Sequence, residues 1–310
     1  MTALISREGV EPLAPVLATL STLRHRHGKD SLQGLAPGLV LPDPTPPRTS
    51  GPAAPDSHAP LTSPAGPATH APLAGPAVPA SLAGPAIAAP HDSLAWRPAC
   101  ELDVTDLLDT AARRWSAQPH AAAALAWKCY SYWCALPAVL GFAASRRVPL
   151  MTPDNVLVRY GDSQPFLTLA LRHPVTAVLA TDPIVATDAP GLLIVDDETE
   201  LLGVLRRSLV DAHLNPLLEE FRKRARIGRR TLWGSVASGV AYGLSRAADS
   251  LPGPTLEIAE RLLTALDAED LVDLTPRAGG GLDIQRRTCC LAFTLPTPKV
   301  CTTCCIRSHS

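Results

Sequence analysis

Apolar side chains recur at intervals of three and four through residues 10–26, at Leu13, Val16, Leu17, Leu20 and Leu23. That spacing predicts a short amphipathic helix, with Gly28 placed to end it. Val104, Leu107, Leu108, Ala111 and Trp115 repeat the pattern and predict a second helix over 104–117. From Ala121 to Ala144 the chain is almost continuously apolar, interrupted by Lys128 and Ser131. Such a length could span a bilayer. Lys128 near its middle, Pro137 and the polar cluster running from Lys128 to Tyr132 favour a long helix buried in a globular core instead. Four short runs follow, Val156–Tyr160, Phe166–Leu171, Val175–Ala180 and Leu192–Val195, punctuated by Gly, Pro and Asp as strands are. Helical spacing then returns. Asp197 and Glu200 stand as in a capping box ahead of Leu201–Val210, and Pro216 opens a helix over 216–226. A third covers 230–248, and Pro254 starts a fourth through Leu263 and Leu266. Gly279–Gly281 would separate this body from a C-terminal stretch. The expectation is an α+β fold, a mainly helical body with a small antiparallel sheet.

Composition locates a different kind of segment. Of the 32 prolines in 310 residues, fourteen fall within 41–90, a stretch with only Asp43, Arg48 and Asp56 as charges. Ala-Gly-Pro-Ala recurs there at 65, 74 and 83. Proline at this density removes backbone donors and breaks helical windows, so 41–92 reads as a disordered Pro/Ala/Gly-rich linker. Three nine-residue copies are too few for a solenoid. The chain thus divides into an N-terminal helix (1–40), the linker (41–92), a folded body (93–278) and a C-terminal module (279–310). A net charge of −1 excludes a protein that is acidic or basic as a whole. The first residues show no basic region followed by an apolar one, so no secretory signal is expected and the thiols should stay reduced in a cytoplasmic setting.

Several patterns invite function and lose to simpler readings. Leu192–Asp197 resembles the first strand and acidic pair of a response-regulator receiver. The later strands carrying a phosphoacceptor aspartate and a lysine are missing, so the carboxylates read as a strand end and helix cap. Residues 222–230 hold six basic side chains in nine positions, without the interleaved aromatics that stack on bases. A solvated helix end is the better reading, and no nucleic-acid partner is expected. His213, before Leu214-Asn215-Pro216, suits capping or packing. Walker, Rossmann and Gly-x-Ser-x-Gly patterns are absent from the sequence.

The C-terminus differs in kind. Five of eight cysteines (Cys289, Cys290, Cys301, Cys304 and Cys305) lie within the last 22 residues. The first four are spaced Cys-Cys-x10-Cys-x2-Cys. Leu291, Phe293 and Leu295 alternate as in a strand, Pro296–Lys299 supplies a turn, and a hairpin of this length would return Cys301 to Cys290. Neighbouring strand residues point to opposite faces, so two adjacent thiolates share a site only through a bend or bulge. An iron–sulfur cluster, a four-cysteine zinc site and reactive thiols without metal are the three readings, and the vicinal arm departs from ordinary zinc spacing.

This terminus resembles the signature of FhuF-like ferric siderophore reductases. Arg287-Thr-Cys289-Cys290 through Pro296 looks like the family's cysteine arm, and Arg230-Thr-Leu-Trp233-Gly-Ser-Val-Ala is similar to its Leu-Trp-Gly-Asn-Val-Ala segment. His213-Leu-x-Pro216-Leu, the Ala-rich helix at 120–145 and Trp96-Arg-Pro also fit, extending the resemblance over roughly 95–305. It implies a [2Fe–2S] cluster on Cys289, Cys290, Cys301 and Cys304, one-electron reduction of a ferric siderophore of the hydroxamate type by an unknown electron donor, and a cytoplasmic location compatible with contact at the inner membrane face. The usual Cys-Gly-Asp-Cys is here Cys301-Thr-Thr-Cys304, and Cys305 could compete with Cys304 as ligand. Arg286 and Arg287 would tune the potential, since a cation ~6 Å away at an effective dielectric of ~20 favours the reduced state by ~2.8 kcal/mol, or ~0.1 V. A zinc-knuckle binding module and an iron–sulfur redox sensor are the alternatives from other classes.

Overall fold

The computed structural model describes residues 11–27, 39–40, 95–162, 166–278, 281–300 and 304–305. The linker assigned to 41–92, Gly28 and Cys301 lie outside the described residues. A 3-10 turn at Glu11–Leu13 leads into α1 (Ala14–His27), followed by β1 (Leu39–Val40) and β2 (Arg97–Pro98). Then come α2 (Val104–Trp115), α3 (Pro119–Ser145), β3 (Arg147–Pro149), β4 (Val156–Tyr160), β5 (Leu167–Leu171), β6 (Thr176–Leu179) and β7 (Leu192–Val195). The second half holds α4 (Glu198–Leu205), α5 (Asn215–Ala225), α6 (Arg229–Ala247) and α7 (Thr255–Ala265), with β8 (Val272–Pro276) and β9 (Leu282–Arg286). The fold is α+β, as expected.

The apolar run at 120–145 becomes the central helix α3. Its side chains are buried on every face from Ala121 to Ala143, the behaviour of a helix that is apolar all round rather than along one stripe. Small residues let neighbours come close. A Cβ on Gly141 would fall 2.2 Å from the Arg147 carbonyl and 2.9 Å from Val16 of α1, so α1 and β3 both close on that point. On α6, Gly239 and Gly243 face Tyr132 and Leu136 of α3, and the Trp127 indole N–H donates to the Leu232 carbonyl at 2.8 Å.

The described strands form three small sheets. β4 pairs antiparallel with β5 and β2, β3 with β6, and β8 with β9. Two parallel pairings accompany them, β1 with β5 and β6 with β7. Every residue of β5 is buried, which explains why it reads as a continuous apolar run instead of an alternating one.

Asp197 caps α4 as its spacing suggested. Its Oδ1 accepts from the Glu200 N–H at 2.8 Å, and Glu200 Oε2 accepts from the Asp196 N–H at 3.0 Å. The expected break before Pro216 does not occur. A π-helical stretch, Arg206–Leu214, joins α4 to α5 directly, and its last bond runs from the Asn215 N–H to the Val210 carbonyl, five residues back. Pro216 has no N–H to give, so the wider turn ends where the proline would otherwise break the ladder.

Of the glycines at 279–281, Gly279 and Gly280 lie outside the described residues. β8 and β9 form a hairpin with Gly281 at φ 75, and Leu282 and Ile284 join the main core. The basic run at 222–230 is a solvated helix end and is largely neutralised. Arg222 and Arg229 reach Glu219, Lys223 and Arg224 reach Glu220, and Arg230 reaches Asp270.

Candidate metal centre

The cysteine segment begins where β9 ends, and α6 fixes its position. Thr288 packs so tightly on Gly234 that a Cβ there would lie 1.8 Å from Thr288 Oγ1 and 2.6 Å from its Cβ. Two residues earlier, the Arg286 guanidinium donates from Nη2 to Ser235 Oγ at 3.3 Å. Gly234 and Ser235 belong to the Leu232–Ala237 segment, so two stretches far apart in sequence meet at one contact. A glycine within a helix costs about 1 kcal/mol relative to alanine, a sign of a packing reason that the sequence does carry.

Beyond Thr288 the chain does not continue as a strand. Leu291 takes a left-handed conformation (φ 60), and Ala292–Thr294 form a 3-10 turn. The expected alternation of Leu291, Phe293 and Leu295 is therefore not a strand pattern. The chain kinks at Leu291, after both adjacent cysteines. Its closures are local: the Leu291 N–H donates to Cys289 Sγ at 3.3 Å and the Thr294 hydroxyl to the Leu291 carbonyl at 2.7 Å. The return arm is still made, because the Lys299 N–H donates to the Ala292 carbonyl at 3.0 Å and Gln285 Nε2 donates to the Cys304 carbonyl at 3.4 Å.

Cys289 and Cys304 both lie within electrostatic range of Cys305. Burial, then these two neighbours, push the Cys305 thiol up while Arg286 opposes them. Cys290 is buried with Ala292 and Leu295, against Trp115, Ala117 and Leu125. Cys301 lies outside the described residues. Among the described residues, no group of three His, Cys, Asp or Glu side chains stands ready-made for a metal ion.

Arg286 is the residue whose character the sequence did not reveal. It is 3% exposed, it forms no ion pair among the described residues, and its Nε has no hydrogen-bond partner. A buried cation without a counter-charge is costly. The anionic groups that the local chemistry can offer are thiolates, and Arg286 lies within electrostatic range of Cys305. A buried guanidinium with an unpartnered Nε beside a sulfur-rich segment suits an anionic group at that place. Arg287 differs: it is exposed, and it pairs with Asp273, whose carboxyl it holds below the usual range.

The other cysteines stand apart from this cluster. Burial pushes the Cys129 thiol up to about 11 and that of Cys134 higher, so both remain protonated in the core. His213 is also a core residue. Its Nδ1–H donates to the Met151 carbonyl at 2.6 Å, and Nε2 accepts from the Tyr130 hydroxyl at 2.6 Å.

Residues 126–272 match the family model described as ferric iron reductase FhuF-like transporter. Over this region the chain is similar to the FhuF-like family. No curated protein matches the chain. The FhuF-like region opens within α3 and closes on the first residue of β8, so it takes in the helical body, His213 and the Trp233-Gly234 contact surface. It supports a role connected with ferric iron reduction. The cysteine segment lies after it and is held against it by Gly234 and Ser235. Among the described residues no helix is long and apolar enough to cross a membrane, α3 included.

Proposed function

We propose that the chain is a cytoplasmic ferric siderophore reductase in which Cys289, Cys290, Cys301 and Cys304 hold a [2Fe–2S] cluster. The observation that carries this reading is Arg286, a buried guanidinium without a carboxylate beside a sulfur-rich segment, on the surface of an FhuF-like body. When bound, the cluster supplies one-electron transfer.

The residues around it have separable roles. Arg286 supplies a desolvated positive charge, which favours the more anionic, reduced state. Ser235 holds that guanidinium in place. Gly234 lets Thr288 seat against α6, which sets the position of the first two cysteines. Arg287 contributes less, since Asp273 offsets its charge. Oxygen-rich chelators bind hard Fe(III) far better than Fe(II), so delivery of one electron is enough to loosen the metal, and no acid–base residue is needed. A hydroxamate is the siderophore type proposed, with a separate electron donor.

The test is direct mixing. Protein reduced under anaerobic conditions and mixed with a ferric hydroxamate should be reoxidised faster than in buffer alone, with Fe(II) trapped by a ferrous chelator. Reoxidation no faster than in buffer would contradict the reductase activity and leave a sensor or a binding module.

A further inference from the structure

The sheet formed by β3, β6 and β7 ends on β7, and among the described residues no strand pairs with its outer side. Two bonds fix which of its residues face inward. The Thr176 N–H donates to the Gly191 carbonyl at 2.8 Å, and the Ala180 N–H to the Val195 carbonyl at 2.9 Å. Alternate residues bond in a parallel pair, so Gly191, Leu193 and Val195 turn their backbone groups toward β6. Leu192 and Ile194 turn theirs outward. The row of free donors stops there, because Pro190 has no N–H and Glu200 holds the Asp196 N–H. The side chains are equally open. Leu193 and Ile194 are 40% and 51% exposed, and neighbours along a strand point to opposite faces. Edge strands are ordinarily blunted by a lysine, an internal proline or a bulge, and Leu192–Val195 has none of these.

Charge marks both ends of this edge. Asp188 precedes it and Asp196, Asp197 and Glu200 follow, all exposed and none in an ion pair among the described residues. Nearby cations are engaged elsewhere, Arg147 of β3 with Asp182 at 2.7 Å and Arg146 with Glu198 at 2.8 Å. Arg172 and His173 lie one strand inward, ahead of β6. A second copy of the chain paired along β7 would set carboxylates against carboxylates in either strand direction.

We infer that the outer edge of β7 takes up an extended segment of another protein by strand addition, a segment apolar on both faces with Lys or Arg at its ends. The docked strand bonds both main-chain groups of Leu192 and of Ile194, covers the Leu193 and Ile194 side chains, and brings its cations to Asp188 and Asp196. Main-chain bonds carry the affinity, so the apolar residues are interchangeable while the flanking charge sets the choice of partner. The inference stands independently of the cluster and of the reductase reading.

The probe is a fluorescein-labelled peptide, Lys-Lys-Thr-Val-Ile-Val-Thr-Lys-Lys, titrated with the full-length protein and read by anisotropy. Saturable binding is expected, roughly tenfold weaker when Glu replaces the flanking lysines and roughly tenfold weaker for Ile194→Pro protein. That proline removes an outward N–H and leaves the bonds to β6 in place, so the variant should melt within a few degrees of the wild type. A readout on the wild type needs no variant: amide exchange followed by NMR should slow at Leu192 and Ile194 when the peptide is added. No saturable binding, equal binding of the Glu-flanked peptide, or slowing confined to other amides would overturn the inference. So would a dimer in analytical ultracentrifugation that Ile194→Lys abolishes, since a second copy would then occupy the edge.

Discussion

Arg286 and Arg287 are sequence neighbours with the same charge, and the fold gives them opposite circumstances. One is buried on Ser235 without a carboxylate; the other is exposed and paired with Asp273. Arg286→Gln should therefore lower the midpoint potential by up to ~0.1 V, and Arg287→Gln by much less, in a redox titration followed by EPR. Equal shifts would contradict the assignment of the tuning charge to Arg286. Gly234 makes a separate, purely steric prediction. Gly234→Ala forces its Cβ into Thr288, an overpacking that costs about 1–3 kcal/mol in denaturant unfolding. Gly239→Ala, whose Cβ would sit 3.3 Å from the Tyr132 ring, should cost less. The sequence displayed the Trp233-Gly234 and Thr288-Cys289 segments as separate motifs. Their contact was not readable from it, because nothing in local spacing says which distant residue fills the space above a helical glycine.

At the level of elements, the periodicities located the helices and four of the nine described strands, β4 to β7, since burial on one face or all faces writes itself into apolar spacing. Two local conformations escaped. The π-helical stretch at Arg206–Leu214 keeps helical spacing, so only Pro216 hints at it. The Leu291 turn hides behind an alternation that strands also show. The π-helical stretch carries His213, which burial pushes down to about 4, with the Met151 carbonyl and Asp154 opposing. Its native form excludes a proton that the unfolded chain binds near pH 6.5. Stability from this group is then present above pH 6.5 and lost as pH falls toward 4, by about 3 kcal/mol. Urea unfolding of the wild type across that window should show this loss, and His213→Gln should show little of it while being less stable at pH 7. An unchanged slope in the variant would place the acid sensitivity elsewhere.

For the whole molecule, the Pro-rich segment between Pro44 and Asp92 falls in a unit of its own, Thr45–His91. β1 and β2 occupy opposite edges of one four-stranded sheet, three strand spacings or ~14 Å apart. Residues 41–44 joined to 92–96 could span up to ~30 Å. A chain lacking Thr45–His91 should therefore fold with its melting temperature within a few degrees of the full chain, as scanning calorimetry would measure; a large drop would mean that the segment contributes to the folded body. The candidate centre was legible in its cysteine spacing and its resemblance, whereas its cationic wall needed the fold. The most direct test of the account is metal analysis of the anaerobically purified protein. The account predicts a red-brown protein with about two irons and two sulfides per chain and an EPR signal after dithionite; colourless protein with one zinc would contradict it.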